Sequence, residues 1–340
     1  MRIFVTGGAG FIGSEFIRQG IRAGHRIVNF DKLTYAGNLE NLASVAASPY
    51  YSVVRGDVCV AAEVAEALPE QCDAVVHFAA ESHVDRSILS AEEFVRTNVL
   101  GTQVMLDVAR HRRVGRFLHI STDEVGGDME ADEWFREDSP LEPNSPYAAS
   151  KTAAEHFVRA AAHTFGLDTI VTRTSNNYGP YQFPEKLLPL AISNAMDDRP
   201  IPVYGDGMQI RDWVHVADNC RALFDVLERG QSGQTYHIGG GDPQPNIAVL
   251  HLLLKILDKP LSLLTRVTDR LGHDRRYAVD FSKIKAELGW SPEIPFERGL
   301  AETVAWYREN AEWVRRCRSG EYRDYYAAMY GERETTAVGM

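Results

Sequence analysis

Thr6-Gly7-Gly8-Ala9-Gly10-Phe11-Ile12-Gly13 joins the short apolar run Ile3-Phe4-Val5 to a segment with helical spacing, and it decides the fold of the first half of the chain. Glycine permits a tight turn there and lets the backbone approach a pyrophosphate without a Cβ in the way. The helix that follows presents unpaired N–H groups and the positive end of its dipole to the phosphates. A lone glycine pattern is weak evidence, but this one has a strand before it and a helix after it. The stretch therefore predicts a dinucleotide-binding turn.

Two acidic residues follow later strands in a way that suits a dinucleotide. Asp31 ends the second predicted strand, 18 residues after Gly13. A carboxylate at that place can hydrogen-bond both ribose hydroxyls and repels a 2′-phosphate, so NAD is favoured over NADP, although Lys32 weakens this preference. Asp57 follows the third strand and is placed to reach the adenine region. The alternative is a structural glycine turn with solvated acids nearby.

Short apolar runs alternate with helical segments throughout the first half of the chain. Strands are predicted at Ile3–Thr6, Arg26–Phe30, Tyr51–Arg55, Ala74–Phe78, Arg116–Ile120 and Thr169–Thr174. Helices are predicted at Ile12–Ala23, Ala61–Leu68, Ala91–His111 and Tyr147–Phe165. Continuous β-branched runs, rather than alternating ones, are typical of strands covered on both faces. The predicted fold class is therefore α/β, with a doubly wound parallel Rossmann sheet.

The pattern changes after about Ser175, where proline and glycine punctuate the chain. Short helices and isolated strands such as Tyr236-His237-Ile238 follow, while the helix Asp218–Arg229 can pack back on the first domain. We expect a NAD-binding domain at 1–175 plus about 212–240, and a smaller, interleaved C-terminal substrate domain at about 176–211 and 241–325. Residues 326–340 are expected to form a frayed tail.

Composition argues against several classes of protein. A net charge of −11 over 340 residues disfavours nucleic-acid binding, and it means that an anionic substrate must meet a local cluster of Arg and Lys. The four cysteines have no C-x-x-C spacing, so neither a metal site nor a disulfide framework is expected. No apolar run reaches the ~20 residues that a membrane span needs, and a strand begins too early for a signal peptide. We expect a cytoplasmic protein without a membrane partner.

Tyr147 and Lys151 are spaced i, i+4, so one turn of helix brings them to the same face. Asn144-Ser145-Pro146 makes a suitable helix start before them. A phenol ordinarily titrates near ~10, and a nearby ammonium group together with a positive nicotinamide ring should lower the pKa of Tyr147. Alone, such a pair is common on helix surfaces. After a dinucleotide turn it indicates hydride-transfer chemistry.

A second reactive group lies at Thr122-Asp123-Glu124, after the predicted strand Arg116–Ile120. A simple alcohol dehydrogenase needs only the Tyr and Lys pair. Two adjacent carboxylic side chains indicate that a proton also leaves carbon and that a hydroxyl leaves as water. The alternative is a helix N-cap with a solvated neighbour.

These features resemble the extended short-chain dehydrogenase/reductase superfamily and, more narrowly, the dTDP-glucose 4,6-dehydratase family. The resemblance runs from about Met1 to Trp313. Its matching stretches are 31–38, 79–87, 121–125, 175–181, 183–187, 211–213, 269–270 and 272–274.

The resemblance implies a redox-neutral reaction with NAD+ staying bound. Tyr147 would take the C4 hydroxyl proton while hydride leaves C4, with Thr122 hydrogen-bonded to the same oxygen. Glu124 would remove the C5 proton and Asp123 would protonate the departing C6 hydroxyl. Hydride return to C6 gives a 4-keto-6-deoxy sugar. The expected substrate is a nucleoside diphosphate sugar, most simply dTDP-glucose.

The resemblance also assigns binding residues. Those for NAD are Gly7, Gly10, Phe11, Ile12, Gly13, Asp31, Lys32, Leu33, Thr34, Asp57, Val58, Phe78, Ala79, Ala80, Ser82, Thr97, Tyr147, Lys151 and Asn177. Those for the substrate are Ser82, Thr122, Asn176, Lys186, Leu187, Pro202, Val203, Tyr204, Arg211, Asn246, Arg270 and His273. Arginine suits the bidentate geometry of a diphosphate.

Two positions depart from the family pattern. Gly126 stands where the family usually has tyrosine, which would remove either an aromatic wall or a loop anchor close to the acidic pair. Leu271 stands where proline is common, which leaves the backbone around Arg270 less fixed. The acidic stretch Met129–Asp138 is expected to be a solvated loop over the site.

Two other functions compete with the dehydratase. An epimerase or decarboxylase of the same superfamily needs the Tyr and Lys pair but not the Asp and Glu pair. A cofactor-sensing protein without catalysis would have no need to retain Thr122, Tyr147 and Lys151 together. The family is commonly dimeric through its two long helices, here Ala91–His111 and Tyr147–Phe165, so a homodimer is expected. The alanine-rich face of the second helix suits such close packing, but it suits an intramolecular core equally well.

Overall fold

The computed structural model describes residues 1–319 and 335–337. Its strands are β1 Arg2–Thr6, β2 Arg26–Asp31, β3 Tyr51–Arg55, β4 Ala74–His77, β5 Arg116–Thr122, β6 Thr169–Thr174, β7 Asn176–Tyr178, β8 Ile201–Tyr204, β9 Ile210–Arg211, β10 Trp213–His215, β11 Thr235–Ile238, β12 Gln244–Pro245, β13 Leu264–Val267 and β14 Thr335–Ala337. Its helices are α1 Phe11–Arg22, α2 Ala61–Ala67, α3 Val84–Leu89, α4 Glu92–Phe94, α5 Gly101–His111, α6 Pro146–Phe165, α7 Leu187–Met196, α8 Val216–Arg229, α9 Asn246–Leu257, α10 Ser282–Leu288, α11 Phe296–Glu309 and α12 Ala311–Cys317.

Seven parallel strands form the central sheet in the order β11-β6-β5-β4-β1-β2-β3. The chain winds outward from β1 to β3 and then returns to place β4 on the other side of β1. That reversal is the switch point at which α/β sheets bind ligands, beyond the carboxyl ends of the strands. The predicted doubly wound α/β fold is confirmed.

Apolar residues fill both faces of this sheet. Within β1, Ile3 and Val5 join the core that packs against α1 and α8, while Phe4 joins the core on the side of α2, α5 and α6. Successive side chains of a strand point to opposite faces, so both cores need the continuous apolar run. The rigid sheet therefore fixes the positions of the loops at its carboxyl edge.

A separate core belongs to the second half of the chain. It is formed mainly by side chains of α7, α9 and α11, among them Leu188, Leu250 and Leu300. Three strands of the second half form one short sheet, in which β13 pairs in parallel with β8 and antiparallel with β14. No helix among the described residues combines the length and apolar character that crossing a bilayer requires.

Two expectations about individual elements need correction, and a third falls mostly outside the described residues. The strand around Tyr236 is not isolated, because β11 pairs with β6 at the edge of the central sheet. The helix predicted over Ala91–His111 is interrupted by a π-helical turn at Val95–Leu100. The predicted frayed tail, 326–340, lies outside the described residues except for Thr335–Ala337, which form β14.

Candidate active site

A cavity of about 440 Å³ opens at the carboxyl edge of the sheet. It is lined by the turn after β1, the segment after β4, the turn after β5, the first turns of α6, and loops from the second half of the chain. Every residue predicted for catalysis or binding lines this cavity except Leu33 and Val203. The Val203 side chain instead packs into the core of the second half, so only its backbone is available.

The turn after β1 has no room for side chains at two of its glycines. Gly7 has φ +69°, and a Cβ there would lie 2.6 Å from the Ala79 nitrogen. A Cβ on Gly13 would lie 2.5 Å from the Gly7 carbonyl oxygen. Helix α1 begins at Phe11, so its free N–H groups open onto the cavity. This cradle fits a pyrophosphate.

Asp31 ends β2 with its carboxylate held by backbone amides. Its Oδ2 accepts from the Ala9 N–H and its Oδ1 accepts from the Leu33 N–H, both at 2.8 Å. Burial raises the pKa of Asp31, and these two hydrogen bonds oppose the shift. Leu33 thus acts through its backbone although it lies outside the cavity wall. Lys32 Nζ forms an ion pair with Asp57 Oδ2 at 3.0 Å. The set fits the adenosine half of NAD rather than that of NADP.

The other predicted cofactor residues complete the same side of the cavity. Asn177 is held in place because its Nδ2 donates to Thr174 Oγ1 at 2.9 Å and to the Ser175 carbonyl at 3.0 Å. The remaining members of the predicted set that line the wall are Phe11, Ile12, Thr34, Val58, Phe78, Ala79, Ala80, Ser82 and Thr97. The residues present therefore fit NAD. Among the described residues, none of the His, Cys, Asp and Glu side chains group in a way that could hold a metal ion.

Thr122, Asp123 and Glu124 form a tight turn directly after β5. Thr122 Oγ1 accepts from the Glu124 N–H at 3.3 Å and donates to Asp123 Oδ1 at 3.2 Å. Burial, followed by the charge of Glu124, raises the pKa of Asp123 well above its ordinary value. Burial also raises the pKa of Glu124, but three cations, led by Arg270, oppose this shift. The two neighbouring carboxyl groups therefore lie in different electrostatic environments.

Tyr147 and Lys151 lie in the first two turns of α6. The Ser145 hydroxyl caps this helix by accepting from the Ala148 N–H at 3.1 Å. Tyr147 is buried, and burial and then Glu124 raise the pKa of its phenol, with a hydrogen bond to Thr122 opposing. In the protein without NAD this pKa is raised, because desolvation governs it, and the lowering by Lys151 together with a bound nicotinamide ring stays a prediction. Burial lowers the pKa of Lys151 to about 8.

Positive side chains line the opposite wall. Lys186 Nζ donates to the Ser82 carbonyl at 2.7 Å. Arg211 is buried and donates to the Asp274 carbonyl at 3.0 Å, while Arg270 lies 3.8 Å from Asp85. These three cations form the local positive cluster that an anionic substrate needs in a chain of net charge −11.

Polar groups beside these cations remain available to a ligand. Among the described residues, Asn176 Oδ1 and Asn246 Oδ1 are buried without a hydrogen-bond partner. His273 Nδ1 lies 2.6 Å from Asp269, and burial lowers the pKa of His273 to about 4, so the ring is neutral at neutral pH. Leu187 and Pro202 supply apolar wall. Buried polar groups of this kind are ordinarily satisfied by a partner or a ligand.

Four titratable residues of the cavity wall were missed from the sequence: Glu81, His83, Asp85 and Glu185. Asp85 Oδ2 accepts from the Tyr204 hydroxyl at 2.8 Å. Glu185 Oε1 accepts from the Tyr35 hydroxyl at 3.2 Å, and burial raises the pKa of Glu185 to about 7. All four lie inside the stretches 79–87 and 183–187, which carry the family resemblance. Their charge within those stretches was the available signal.

Gly126 lies behind the cavity rather than in its wall. A Cβ at Gly126 would lie 2.6 Å from the ring of Phe135, which is almost fully buried against Val125 and Val279. The expectation of a lost cavity wall is therefore wrong, because Phe135 fills this space. The expectation of a fully solvated loop at 129–138 is also wrong at Phe135, although Glu130–Trp134 is exposed. Leu271 is exposed next to Arg270.

Comparison with known proteins agrees with this site. A family model described as GDP-mannose 4,6 dehydratase matches residues 4–303. A dTDP-glucose 4,6-dehydratase of an Actinoplanes species is 50% identical over 320 residues, which is 92% of this chain and 99% of that relative. The dTDP-glucose 4,6-dehydratase of Escherichia coli is 46% identical over 361 residues, covering 98% of this chain and 100% of that one.

Solved structures show the same likeness. DesIV, a dTDP-glucose 4,6-dehydratase from Streptomyces venezuelae solved with NAD bound, superposes with a TM-score of 0.91 at 50% identity, over 93% of this chain and 100% of that one. A Thermus thermophilus UDP-glucose 4-epimerase, solved in complex with NAD, reaches 0.86 at 28% identity, over 91% and 100%. The chain therefore belongs to the GDP-mannose 4,6 dehydratase family, and within it to the branch of the dTDP-glucose 4,6-dehydratases.

Proposed function

We propose that the protein is a NAD-dependent dTDP-glucose 4,6-dehydratase, which converts dTDP-glucose into dTDP-4-keto-6-deoxyglucose and water. The observation that carries this proposal is the meeting of two pairs, Tyr147 with Lys151 and Asp123 with Glu124, in one cavity beside the glycine turn. The first pair serves the redox steps, and the second serves the elimination of water.

Each side chain has one task in the first half of the reaction. Tyr147 accepts the C4 hydroxyl proton, and Thr122 hydrogen-bonds the same oxygen. Lys151 stabilises the phenolate and holds the nicotinamide ribose. NAD+, when bound, supplies the acceptor for the C4 hydride and the donor that later returns it to C6. The C4 ketone acidifies the C5 proton of the sugar.

The acidic pair then removes water. Glu124 takes the C5 proton, and Asp123 gives a proton to the departing C6 hydroxyl. Burial favours a protonated Asp123, whereas Arg270, Lys186 and Arg211 favour an ionised Glu124. Neighbouring carboxyl groups whose pKa values are moved apart can act as acid and base at the same pH.

The substrate's diphosphate belongs, in this proposal, to the wall formed by Lys186, Arg211 and Arg270, with His273 alongside. Asn176 and Asn246 offer unpaired amide oxygens to the sugar and nucleoside. The backbone of Pro202, Val203 and Tyr204 contacts the base. Residues 1–175 and about 212–240 thus hold NAD, and about 176–211 and 241–325 hold the nucleotide sugar.

An epimerase or decarboxylase is a weaker candidate. Epimerases share this fold, as the Thermus thermophilus neighbour illustrates. Their chemistry does not call for an acid and a base beyond the Tyr and Lys pair, whereas Asp123 and Glu124 line this cavity. A sensor without catalysis explains neither pair.

Incubation with dTDP-glucose tests the proposal directly. We expect the alkali-induced absorbance of a 4-keto sugar to appear, with no net consumption of added NAD+. UDP-glucose and other nucleoside diphosphate glucoses serve as the comparison panel. Product from none of these sugars would leave the sensor as the better explanation, and a C4 epimer without a 4-keto product would favour an epimerase.

The same proposal includes a homodimer in the cytoplasm. Val95 and Leu100 in the π-helical turn before α5 are more than half and more than two-fifths exposed, and Phe157 on α6 is more than two-fifths exposed. Apolar side chains on two adjacent helices suit a second copy of the same surface. Light scattering of the parent and of Phe157→Glu checks this, with a monomeric variant as the expected result.

A further inference from the structure

The ammonium group of Lys151 is buried between α6 and β5. The residue is 3% exposed, and its Nζ lies 2.7 Å from the Ile120 carbonyl oxygen and 3.4 Å from His119 Nε2. An ammonium group has three N–H donors and accepts nothing. Two inward partners therefore leave one N–H, on a side chain that lines the cavity with Tyr147.

The contact with a donor-only group fixes the state of His119. This ring is fully buried, and its Nε2 must carry the lone pair, which places the proton on Nδ1. Nδ1 has no hydrogen-bond partner among the described residues, an arrangement that is unfavourable for a buried N–H. Burial, Lys151 and His77 all lower the pKa of His119, so the ring stays neutral. His119 Nε2 is therefore a buried, uncharged hydrogen-bond acceptor for the Lys151 ammonium group.

Neighbouring groups do not replace this acceptor. On β4, His77 is occupied on both sides, since its Nε2 donates to Thr102 Oγ1 at 3.1 Å and its Nδ1 accepts from Thr6 at 2.7 Å. The donor roles follow because Thr102 Oγ1 already donates to a backbone carbonyl. On α6, Glu155 raises the pKa of Lys151, but its carboxylate is paired at 2.8 Å with Arg173 of β6.

We propose that His119 is a positioning residue for Lys151: its neutral Nε2 and the Ile120 carbonyl hold the ammonium group so that the third N–H faces Tyr147 and the cofactor ribose. The task of that third N–H rests on the proposed function. The positioning of the ammonium group rests only on its contacts with His119 and the Ile120 carbonyl. Burial has already lowered the pKa of Lys151 to about 8, so loss of one acceptor should carry the lysine toward its neutral form at working pH.

The test measures the ionisation of Lys151 itself. The chain has seven lysines, so [ε-¹³C]lysine labelling gives a short set of NMR signals, and Lys151→Arg identifies the one of interest. In holoenzyme with NAD bound, His119→Leu should lower the pKa of that signal by about one unit or more, a tenfold change in ionisation. His119→Gln keeps an acceptor at a similar reach and should restore the parent value. If His119→Leu does not fold, His119→Met makes the same apolar replacement.

Activity provides a second readout. The alkaline limb of the pH profile for turnover of dTDP-glucose should move to lower pH in the apolar variant and return with His119→Gln. An unchanged lysine titration in a folded apolar variant overturns the assignment, as does a Gln variant that titrates like the apolar one. If the parent does not turn over dTDP-glucose but the lysine shift is present, the dehydratase proposal fails and the role of His119 stands.

Discussion

Lys186 Nζ donates a hydrogen bond to the Ser82 carbonyl at 2.7 Å, and this contact joins the two walls of the cavity. Lys186 lies just before α7 in the second half of the chain, whereas Ser82 follows β4. The same ammonium group is proposed to bind the diphosphate. It therefore has two roles that different substitutions can separate.

Lys186→Gln should raise KM for dTDP-glucose about tenfold or more with a much smaller change in kcat, because a charge-assisted contact to the diphosphate is lost. Lys186→Met also loses the hydrogen bond to the Ser82 carbonyl, so its KM for dTDP-glucose should rise further. Steady-state kinetics measure both. Lys285→Gln, an exposed lysine of α10, is the matched control. Equal KM in Lys186→Gln and the parent would remove Lys186 from the diphosphate site.

Glu124→Gln should stop the reaction after oxidation of C4. The amide cannot take the C5 proton, while Tyr147, Thr122 and Lys151 remain intact. Enzyme-bound NADH should therefore accumulate in a single turnover, visible by its absorbance. Tyr147→Phe is the matched control and should give no NADH. Normal turnover by Glu124→Gln would mean that another group is the base.

Glu185 should make stability depend on pH. Burial raises the pKa of its folded-state carboxyl to about 7, above the ordinary value near ~4.3 in an unfolded chain. The folded protein thus holds a proton that the unfolded chain releases, so this contribution is present below the unfolded pKa and is lost as pH rises through about 7. The slope is at most about 1.4 kcal/mol per pH unit.

Glu185→Gln should therefore match the parent near pH 4, below the unfolded pKa, and be more stable than the parent near pH 8. The amide oxygen can still accept from Tyr35, which preserves the contact at 3.2 Å. Urea unfolding at both pH values measures the difference. Glu133→Gln, in the exposed part of the 129–138 loop, should show no pH-dependent difference in unfolding free energy from the parent. A variant less stable than the parent near pH 8 contradicts the prediction.

Gly126→Tyr, which restores the residue common in the family, should destabilise this chain by roughly 1–3 kcal/mol, as overpacking does. The added Cβ would meet the Phe135 ring at 2.6 Å. In a Phe135→Ala background the same substitution should cost less, because the ring has gone. A double-mutant cycle of unfolding free energies measures this coupling. Equal costs in both backgrounds would show that Phe135 is not the obstacle.

Local pattern predicted the parts of the fold that depend on local physics. The turn at Gly7–Gly13 and the strand that delivers Thr122 were predictable, because glycine requirements and apolar runs act over a few residues. The likeness to a known family supplied Arg270 and His273, whose spacing from the glycine turn says nothing about proximity. Without it, the second wall of the cavity would have remained unassigned.

The failures share a physical cause, since each depends on what packs against a residue. The phenol of Tyr147 is buried, so desolvation, and not the charge of the neighbouring lysine, determines its pKa. The burial of Phe135 was not predicted because its neighbours in sequence are acidic. One buried apolar side chain is nevertheless enough to anchor that stretch. The contact between Asp85 and Tyr204 joins positions 119 residues apart, and no spacing rule could foresee it.

The pairing of β11 with β6 has a consequence for protein engineering. One edge of the central sheet comes from Thr235–Ile238, after the chain has already contributed β7–β9 and α7 to the other half. A chimera with one crossover near residue 175 would replace that edge strand with the strand of the donor enzyme. It would also replace α8, whose Phe224 ring stacks on Phe16 in this chain. With the proposed domain boundaries, we expect exchange of sugar specificity between relatives to need two replaced segments, about 176–211 and about 241–325, with 212–240 kept from the parent.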